Sequence, residues 1–263
     1  MTISDTLFDL SGKTAIVTGA SRGIGEAIAR QLAFHGANVV VSSRKIDACE
    51  IVANSINETA GREAAHAVAC NIAHKQELQR LVDETKAKWG PADVLVSNAA
   101  VNPYYGPSSE MTDEQFDKIL TCNVKASHWL AHMVLPEMRT KKDGAIILIS
   151  SVGGFVGSAA IGGYNISKAA DLQLARNLAV EAGPDNIRVN CICPGVVKTR
   201  FAEALWKDPK MEKLMTQRLP LRRFGEPDDI AGAAVFLASN AGRWMTGQGM
   251  IIDGGTLIGL GEL

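Results

Sequence analysis

The chain has 263 residues, with 27 Lys and Arg against 28 Asp and Glu, and its formal net charge is −1. So balanced a composition gives no positive field for nucleic acid, and we therefore exclude a nucleic-acid-binding protein. The length is sufficient for a full hydrophobic core and is typical of α/β folds that form one domain.

Apolar, β-rich runs alternate with helical patterns along nearly the whole chain. Strands are predicted at Thr14–Thr18, Asn38–Ser42, Ala64–Ala69, Asp93–Ser97, Gly144–Ile149, Ile187–Ile192 and Gly249–Asp253. Helices are predicted at Ile24–Phe34, Ile46–Ala60, Lys75–Trp89, Asp113–Met138 and Tyr164–Ala182. Strands this apolar need helices on both faces of a parallel sheet. The prediction is one doubly wound Rossmann domain over residues 1–263, with a seven-stranded parallel sheet and helices on both faces.

A glycine-rich segment, Thr18 to Gly25, joins the first strand to the first helix. Gly19, Gly23 and Gly25 suit a tight turn in which the backbone approaches a pyrophosphate, and the helix N-terminus adds N–H groups and partial positive charge. Glycines also serve ordinary turns, and the spacing G-x3-G-x-G differs from G-x-G-x-x-G. The position at the first strand-to-helix junction favours a dinucleotide site.

The end of the second strand predicts which dinucleotide binds. A carboxylate there would hold a free ribose diol, but this strand is followed by Ser43, Arg44 and Lys45, and no acid occurs before Asp47. Arg44 can make a two-pronged contact with a phosphate, Ser43 can donate to it, and Arg22 can approach from the glycine segment. The alternative is that Arg44 and Lys45 are only solvated. We predict NADP(H) rather than NAD(H).

Tyr164 and Lys168 lie four residues apart, on one face of a helix. A free phenol titrates near ~10, so a tyrosine that works at neutral pH needs a pKa lower by roughly 3 units, or about 4 kcal/mol. One ammonium at ~4 Å in an effective dielectric of ~20 supplies about that energy. The pair is therefore a sufficient device for proton transfer, although any helix can carry Tyr and Lys at this spacing.

These motifs resemble the classical short-chain dehydrogenase/reductase family over nearly the whole chain. TGASRGIG resembles the family's cofactor loop, and Ser97-Asn98-Ala99-Ala100 resembles its Asn-Asn-Ala-Gly signature. Tyr164 and Lys168 match its Tyr-x-x-x-Lys motif, and Ser151, thirteen positions before Tyr164, stands where its catalytic serine is expected. Asn123 matches the asparagine of its tetrad. Two departures are Ala100 in place of Gly and Asn71 in place of an Asp that touches adenine, and an amide can still accept and donate there.

The resemblance implies the cofactor contacts. The segment Pro194 to Thr199 resembles the Pro-Gly stretch that lies along the nicotinamide, with Thr199 near the carboxamide. The residues then expected at the cofactor are Gly19, Ser21, Arg22, Gly23, Ile24, Gly25, Ser43, Arg44, Asn71, Ile72, Asn98, Ala99, Tyr164, Lys168, Pro194, Gly195, Val197 and Thr199. The variant SNAAVNPYYG also resembles that of the NADPH-preferring carbonyl and dicarbonyl (retinal) reductases.

The resemblance implies a catalytic tetrad of Asn123, Ser151, Tyr164 and Lys168. Tyr164 would exchange a proton with the oxygen of a ketone, aldehyde or alcohol while Ser151 stabilises charge on that oxygen. Lys168 would lower the tyrosine pKa and bind the nicotinamide ribose, and Asn123 would hold a water that leads to solvent. The cofactor supplies the hydride chemistry.

A lid over the small-molecule substrate is predicted at about 196–218, because such helix-like insertions cover the substrate in this family. Core packing is the competing interpretation of its apolar residues. The pocket candidates are Tyr104, Tyr105, Phe155 and Trp206, which imply a fairly apolar carbonyl compound. The family also implies a homotetramer.

No apolar run approaches the ~20 residues of a membrane-spanning helix, and MTISDTLFDLSGK has no signal-peptide pattern. The last three residues, Gly261, Glu262 and Leu263, differ from the Ser-Lys-Leu peroxisomal address. The odd number of scattered cysteines indicates reduced thiols, with Cys191 and Cys193 in a buried strand. His128 and His132 have helical metal-pair spacing without an acid between them. We expect a cytoplasmic protein without metal, membrane or nucleic-acid partners.

Three other functions remain as alternatives. A cofactor-binding regulator without turnover is disfavoured because all four tetrad residues are present. Enoyl reductases of the family place Lys seven positions after Tyr, where this chain has Asp171. Reduction of 3-ketoacyl groups on acyl-carrier protein or CoA is harder to exclude, since Arg222 and Arg223 could contribute to a basic docking patch, though ordinary surface charge explains them equally well.

Overall fold

The structure of the protein is a computed structural model that describes residues 7–259. Its strands are β1 (Thr14–Thr18), β2 (Asn38–Ser43), β3 (Ala65–Ala69), β4 (Val94–Ser97), β5 (Gly144–Ile149), β6 (Ile187–Pro194) and β7 (Gly249–Ile252). Its α-helices are α1 (Gly23–Phe34), α2 (Ile46–Ala60), α3 (Lys75–Trp89), α4 (Asp113–Ile119), α5 (Ala126–Lys141), α6 (Gly162–Ala182), α7 (Glu203–Trp206), α8 (Pro209–Thr216) and α9 (Pro227–Ala238).

The seven strands form one parallel sheet in the order β3-β2-β1-β4-β5-β6-β7. The chain moves outward from β1 through β2 and β3, and then returns to the other side of β1 to begin β4. This reversal places a crevice beyond the carboxyl ends of β1 and β4, where doubly wound folds bind their ligands. The predicted seven-stranded Rossmann sheet is confirmed.

Side chains of the central strands alternate between two hydrophobic layers. Ala15 and Val17 of β1 face the layer that contains α1, α2 and α9, whereas Ile16 between them faces the layer that contains α3, α5 and α6. Successive strand residues point to opposite faces, so an uninterrupted apolar run is what a sheet buried on both sides requires. The predicted helical cover on both faces is confirmed.

The helical region predicted at Asp113–Met138 is helical, but it is not one uniform α-helix. α4 begins at a capping box, in which Thr112 and Gln115 exchange side-chain-to-backbone hydrogen bonds. It is followed by a π-helical turn over Leu120–Lys125, and α5 then continues beyond the predicted end to Lys141. A π turn widens the helix and changes the direction of the side chains that follow. It contains Asn123, one of the predicted catalytic residues.

Other predicted boundaries differ from the structure by one or two residues. β6 extends to Pro194, and α6 begins at Gly162 instead of Tyr164. The N-terminal residues 1–6 and the final residues 260–263 lie outside the described part of the chain, and so do the signal-peptide and peroxisomal expectations that fall there. Within residues 7–259, the structure has no helix with the length and apolarity needed to cross a membrane.

Asp93, at the start of β4, connects β1, β4 and α5 at the end of the sheet opposite the crevice. Its buried carboxylate accepts hydrogen bonds from the backbone N–H of Thr14 at 2.9 Å and from Lys141 Nζ at 2.7 Å. The first bond fixes β1 against β4, and the second fixes the end of α5 beside them. Hydrogen bonds to charged groups contribute more to stability than neutral ones.

Replacement of this carboxylate tests its contribution to stability. Asp93→Ala is expected to lower the free energy of unfolding by about 3 kcal/mol, because two charge-assisted bonds are lost. Asp143→Ala is the matched control, since Asp143 is more exposed and pairs with Lys13 at 2.5 Å, and it is expected to cost less than about 1 kcal/mol. Urea unfolding measures both, and equal losses would contradict the role given to Asp93.

Candidate active site

The glycine segment lies at the carboxyl end of β1 and needs its glycines for two physical reasons. Gly19 and Gly23 have φ values of +66° and +60°, a left-handed conformation that side chains with a Cβ rarely adopt. Gly25 is needed for space, because a Cβ there would lie 2.4 Å from the Gly19 carbonyl oxygen and 2.5 Å from Asn98 Nδ2. The turn is therefore tighter than any other residue at these positions would allow.

The N-terminus of α1 points its backbone donors into the crevice. Arg22 precedes the helix in an extended conformation, and its side chain makes no capping hydrogen bond. The N–H groups of the first helical turn have no partners within the helix, and the helix dipole adds partial positive charge. These donors and the absence of side chains at Gly19, Gly23 and Gly25 fit the pyrophosphate of a dinucleotide.

Asn98 holds the crevice together at the reversal point of the sheet. Its side-chain amide donates to the carbonyl oxygens of Thr18 at 2.9 Å and Gly19 at 3.2 Å. The Thr18 hydroxyl in turn accepts from the backbone N–H groups of Asn98 and Ala99. The polar ends of β1 and β4 are thus satisfied by each other, and the glycine turn is fixed against β4.

The residues predicted for the adenosine half of the cofactor follow β2 and β3. Ala20 N donates to the Ser42 carbonyl at 3.0 Å, which brings the end of β2 beside the glycine segment. Arg44 is exposed, and within residues 7–259 it has no acidic partner. Ser43 Oγ lies 3.1 Å from Cys49 Sγ, and Asn71 Oδ1 accepts from Ala73 N, which leaves the Asn71 Nδ2 group free to donate. Ile72, next to Asn71, packs against the core.

Tyr164, Lys168 and Asp171 form a stripe along one face of α6. Lys168 Nζ lies 5.6 Å from the centre of the Tyr164 ring. The same ammonium donates to the Ile149 carbonyl oxygen at 2.8 Å and to Asp171 Oδ2 at 3.0 Å. Lys168 and Asp171 are almost completely buried, whereas Tyr164 is half-buried at the surface of the cleft. The structure therefore brings together the predicted pair and adds a carboxylate.

The pKa of Tyr164 is subject to more influences than the Lys168 charge that the sequence suggested. Burial raises the pKa of Tyr164 above its usual value; the Lys168 ammonium lowers it, Asp171 raises it, and the Ser151 hydroxyl lowers it. The Coulomb argument from Lys168 alone leaves out both the loss of solvent and the opposing carboxylate. Burial and Asp171 thus oppose the lowering by Lys168 that the spacing of the pair indicates.

Ser151 approaches Tyr164 from the end of β5, and Asn123 contacts α6 from the π-helical turn. Ser151 follows β5 and begins a short 3-10 helix, where its hydroxyl accepts from Gly153 N at 3.0 Å. The amide of Asn123 donates to the Val101 carbonyl oxygen and to Ser167 Oγ, both at 3.0 Å, and accepts from Val101 N at 2.8 Å. Asn123 thus joins the loop after β4 to α6. A water held by Asn123 stays a prediction.

The Pro194-to-Thr199 segment crosses the top of the sheet between β6 and α7. Gly195 is needed here because a Cβ would lie 2.8 Å from Asp253 Cα. Thr199 reaches the glycine segment, since a Cβ on Gly23 would lie 3.1 Å from its methyl group. Trp206 Nε1 donates to the Thr199 carbonyl at 3.0 Å. Val197 is buried and pairs with Gly225. The Pro194-to-Thr199 segment and the glycine segment, which are predicted to bind the two halves of the cofactor, therefore lie side by side.

Of the predicted pocket residues, only Trp206 directly contacts this cofactor segment within the described chain. Tyr104 folds back on its own loop and donates to the Pro107 carbonyl at 3.2 Å. Tyr105 is exposed, and Phe155 packs toward Gly249 of β7. Sequence reasoning placed Phe201 in the lid and missed it as a pocket residue, yet its ring centre lies 5.8 Å from that of Tyr164. Its place shortly after Thr199 was the available signal.

The family model described as enoyl-(acyl carrier protein) reductase matches residues 19–256. The chain is 43% identical over 248 residues to dehydrogenase/reductase SDR family member 4 of Sus scrofa, covering 94% of this chain and 88% of the relative. It belongs to the short-chain dehydrogenase/reductase family. The Homo sapiens relative of the same name is 42% identical over 247 residues, with 94% and 88% covered. The family prediction is confirmed, and its carbonyl reductase subgroup is consistent with these relatives.

Solved structures of the family share the whole fold. One is a gluconate 5-dehydrogenase from Burkholderia cenocepacia J2315 in complex with NADP and tartrate, at a TM-score of 0.90 and 29% identity over 96% of this chain and 98% of that one. Another is a short-chain type dehydrogenase/reductase from Mycobacterium marinum, at a TM-score of 0.90 and 34% identity, with 96% and 98% covered. The chain is thus an oxidoreductase of this family, as predicted.

Substitution of Gly25 tests the glycine crevice. Gly25→Ala is expected to weaken NADPH binding at least tenfold, because the added methyl group would collide with backbone oxygen and with Asn98. Gly232→Ala in α9 is the matched control, since its added Cβ would meet no atom within 4 Å. Quenching or enhancement of NADPH fluorescence on titration gives both dissociation constants. A Gly25→Ala protein that binds within twofold of the wild type would contradict this account.

Proposed function

We propose that the protein is an NADP(H)-dependent oxidoreductase that interconverts a ketone or aldehyde with the corresponding alcohol. The observation that carries this proposal is the pair of Tyr164 and Lys168 on one face of α6, beside Ser151. The same cleft contains the glycine segment and the N-terminus of α1, which has no side-chain cap. A proton donor, a polariser of the substrate oxygen and a dinucleotide cradle are the three parts that carbonyl reduction needs.

The bound nicotinamide supplies the hydride. On the protein side, Tyr164 donates its phenolic proton to the substrate oxygen in reduction and accepts it in oxidation. Ser151 Oγ hydrogen-bonds the same oxygen and stabilises the charge that develops there. Lys168 holds the phenol in a positive field, and one of its three N–H bonds remains for the nicotinamide ribose after those to Ile149 and Asp171.

Preference for the 2′-phosphate is supported by Arg44. The guanidinium stands at the end of β2, beside the glycine segment, and within the described residues no carboxylate pairs with it. Ser43 and the exposed Arg22 are the further donors proposed here. A family structure from Burkholderia cenocepacia is in complex with NADP, which supports the same choice of cofactor. A carboxylate at this position would instead repel the phosphate.

The proposed substrate is a small, fairly apolar carbonyl compound held under a lid at about 196–218. The segment contains α7, α8 and the short helical turn that bears Phe201, whose ring faces Tyr164. Trp206 is fixed by its bond to Thr199. The Phe201 ring beside the proposed proton donor, with Trp206 on the same segment, favours an apolar substituent on the carbonyl carbon. Tyr104, Tyr105 and Phe155 are less well supported as pocket residues, because no contact in the described part of the chain brings them to Tyr164.

Acyl reduction is the second candidate because the matching family model carries an enoyl reductase description. Enoyl reduction fits poorly, since the seventh residue after Tyr164 is Asp171 and the ammonium comes from Lys168 instead. A basic docking patch for an acyl carrier is also weakened. Arg223 donates to both carboxylate oxygens of Asp229, at 2.5 and 2.9 Å, so its charge is already paired. A non-catalytic regulator would have no use for the tetrad.

A homotetramer and a cytoplasmic location complete the proposal. β7 is an edge strand of the sheet, and Ile251 on this strand is exposed. Val180 at the end of α6 and Trp244, which is 99% exposed, add apolar surface to the described chain. Exposed edges and apolar patches favour association, which supports assembly of identical copies.

Removal of the phenolic hydroxyl tests the proton donor. Tyr164→Phe keeps the ring and is expected to lower kcat by 10²–10⁴-fold, with nearly unchanged NADPH affinity.

For the wild type, reduction needs the phenol protonated, so its rate should fall as pH rises through the Tyr164 pKa, and oxidation should rise over the same range. Steady-state assays with a ketone and alcohol panel measure this, and more than about a tenth of wild-type kcat would contradict the assignment.

Replacement of Arg44 tests the choice of cofactor. The wild type is expected to have a higher kcat/KM with NADPH than with NADH, and Arg44→Ala is expected to reduce this ratio at least tenfold through a weaker phosphate contact. Lys45→Ala removes a neighbouring exposed charge and should leave most of the ratio intact. Equal use of both cofactors by the wild type would refute the preference, and an equal effect of both variants would refute the role of Arg44.

A further inference from the structure

Asp171 occupies a place in the active-site helix that the tetrad does not explain. Tyr164, Lys168 and Asp171 follow one another at i, i+4 and i+7, which places all three along one face of α6. The ammonium of Lys168 lies between the phenol and the carboxylate, 5.6 Å from the centre of the ring and 3.0 Å from Asp171 Oδ2. The charge of Lys168 is therefore shared between two acidic groups.

The carboxylate depends on Lys168 for its neutralisation. Asp171 is 1% exposed and Lys168 is 3% exposed. Within residues 7–259, no group donates a hydrogen bond to Asp171 Oδ1, and Oδ2 accepts only from Lys168. Burial raises the pKa of Asp171, and the Lys168 ammonium opposes that rise, because an unpaired buried carboxylate is costly. The ion pair therefore draws the ammonium towards Asp171, and the Ile149 carbonyl oxygen holds it from the side of β5.

The neighbouring strands add no second charge to this pair. On the β6 side lie the thiols of Cys191 and Cys193, and burial raises the pKa of both, that of Cys193 to about 11. Both thiols are therefore neutral at physiological pH. On the β5 side lie the Ile149 carbonyl and Ser150, whose hydroxyl donates to the Lys168 carbonyl oxygen at 2.8 Å. Ser151 and Asn123 are the uncharged polar groups beyond the end of the sheet.

We propose that Asp171 is a positioning residue for proton transfer, which holds Lys168 away from full contact with Tyr164 so that the phenol keeps its proton and carbonyl reduction is favoured at neutral pH. This inference rests on the proposed function. An ammonium that supported tyrosinate alone would instead favour a deprotonated tyrosine, which is the form that alcohol oxidation requires.

Removal of the Asp171 charge shifts the titration in the same direction whether Tyr164 or Lys168 loses the first proton. Tyr164 and Lys168 titrate as a coupled pair. Burial lowers the pKa of Lys168, but Asp171 and Tyr164 outweigh burial and raise it; Asp171 also raises the pKa of Tyr164. Removal of the negative charge therefore lowers the pKa of the first deprotonation of the pair in either case, and nearby charges shift such values by about one unit or more.

The first experiment measures pH profiles with NADPH and a ketone, and with NADP⁺ and an alcohol. Asp171→Asn is expected to shift the rise of alcohol oxidation at least about one pH unit lower, and to shift the alkaline fall of reduction in the same direction. Glu181→Gln is the matched control, because it removes a carboxylate from the same helix that is exposed and pairs with Arg139. Its profiles should match those of the wild type.

The second experiment does not require turnover, so it separates this proposal from the proposed function. The chain has three tyrosines, and NMR of tyrosine labelled at Cζ, with Tyr164→Phe for assignment, gives the Tyr164 pKa directly. The wild-type value should lie well above neutral pH, and Asp171→Asn should lower it. Failure of all assays with a normal Tyr164 titration would refute the proposed function alone.

Asp171→Leu provides a second variant if Asp171→Asn does not fold, because it removes the carboxylate while filling the same space, and Lys168 keeps the Ile149 carbonyl oxygen as a partner. It should move the Tyr164 titration in the same direction. A Tyr164 pKa near neutrality in the wild type would overturn the proposal without any variant. An unchanged or higher pKa in a folded Asp171 variant would overturn it as well, and so would a uniform loss of kcat without a shift of the pH profile.

Discussion

The buried ammonium of Lys168 is the constraint on which the rest of the candidate active site depends. A charge with so little solvent needs fixed partners, and the structure supplies the Ile149 carbonyl oxygen from β5 and the Asp171 carboxylate from α6 itself. The contact with Ile149 fixes α6 against the end of the sheet and thereby places Tyr164 at the cleft. The position of Tyr164, the proposed proton donor, and the packing of α6 on β5 are consequences of the same buried charge.

The part of the cleft proposed to hold the dinucleotide depends on backbone contacts instead of charge. Asn98 bonds to the carbonyl oxygens of Thr18 and Gly19, and Gly25 permits the approach of α1 to that turn. Thr199 reaches the same turn from β6. The reversal of strand order between β1 and β4 brings these segments together, so the topology of the sheet and the close approach of glycine backbone create the cradle jointly.

Apolar runs of five or six residues predicted the strands to within one or two residues because a sheet buried on both faces leaves a continuous signal. The π turn at Leu120–Lys125 was not predictable, since one additional residue per turn leaves no clear period. Motifs named the residues of the proposed tetrad, but the hydrogen bonds of Asn123 to Val101 and Ser167 could not be predicted, because they join segments far apart in sequence. Phe201 lies in a 3-10 turn of three residues, which is too short for periodicity to show where its side chain points.

The surroundings of Tyr164 show why spacing alone is insufficient for a chemical prediction. Residues four apart established that an ammonium stands near the phenol, and the Coulomb energy then appeared large enough to bring the tyrosine to neutrality. Burial acts on the same phenol in the opposite direction, and Asp171 divides the field of the ammonium. In the sequence analysis, Asp171 served only to argue against enoyl reduction, because it stands where enoyl reductases of the family have a lysine. In three dimensions it is a partner of Lys168, so the charge that supports Tyr164 is set by three residues of one helix face.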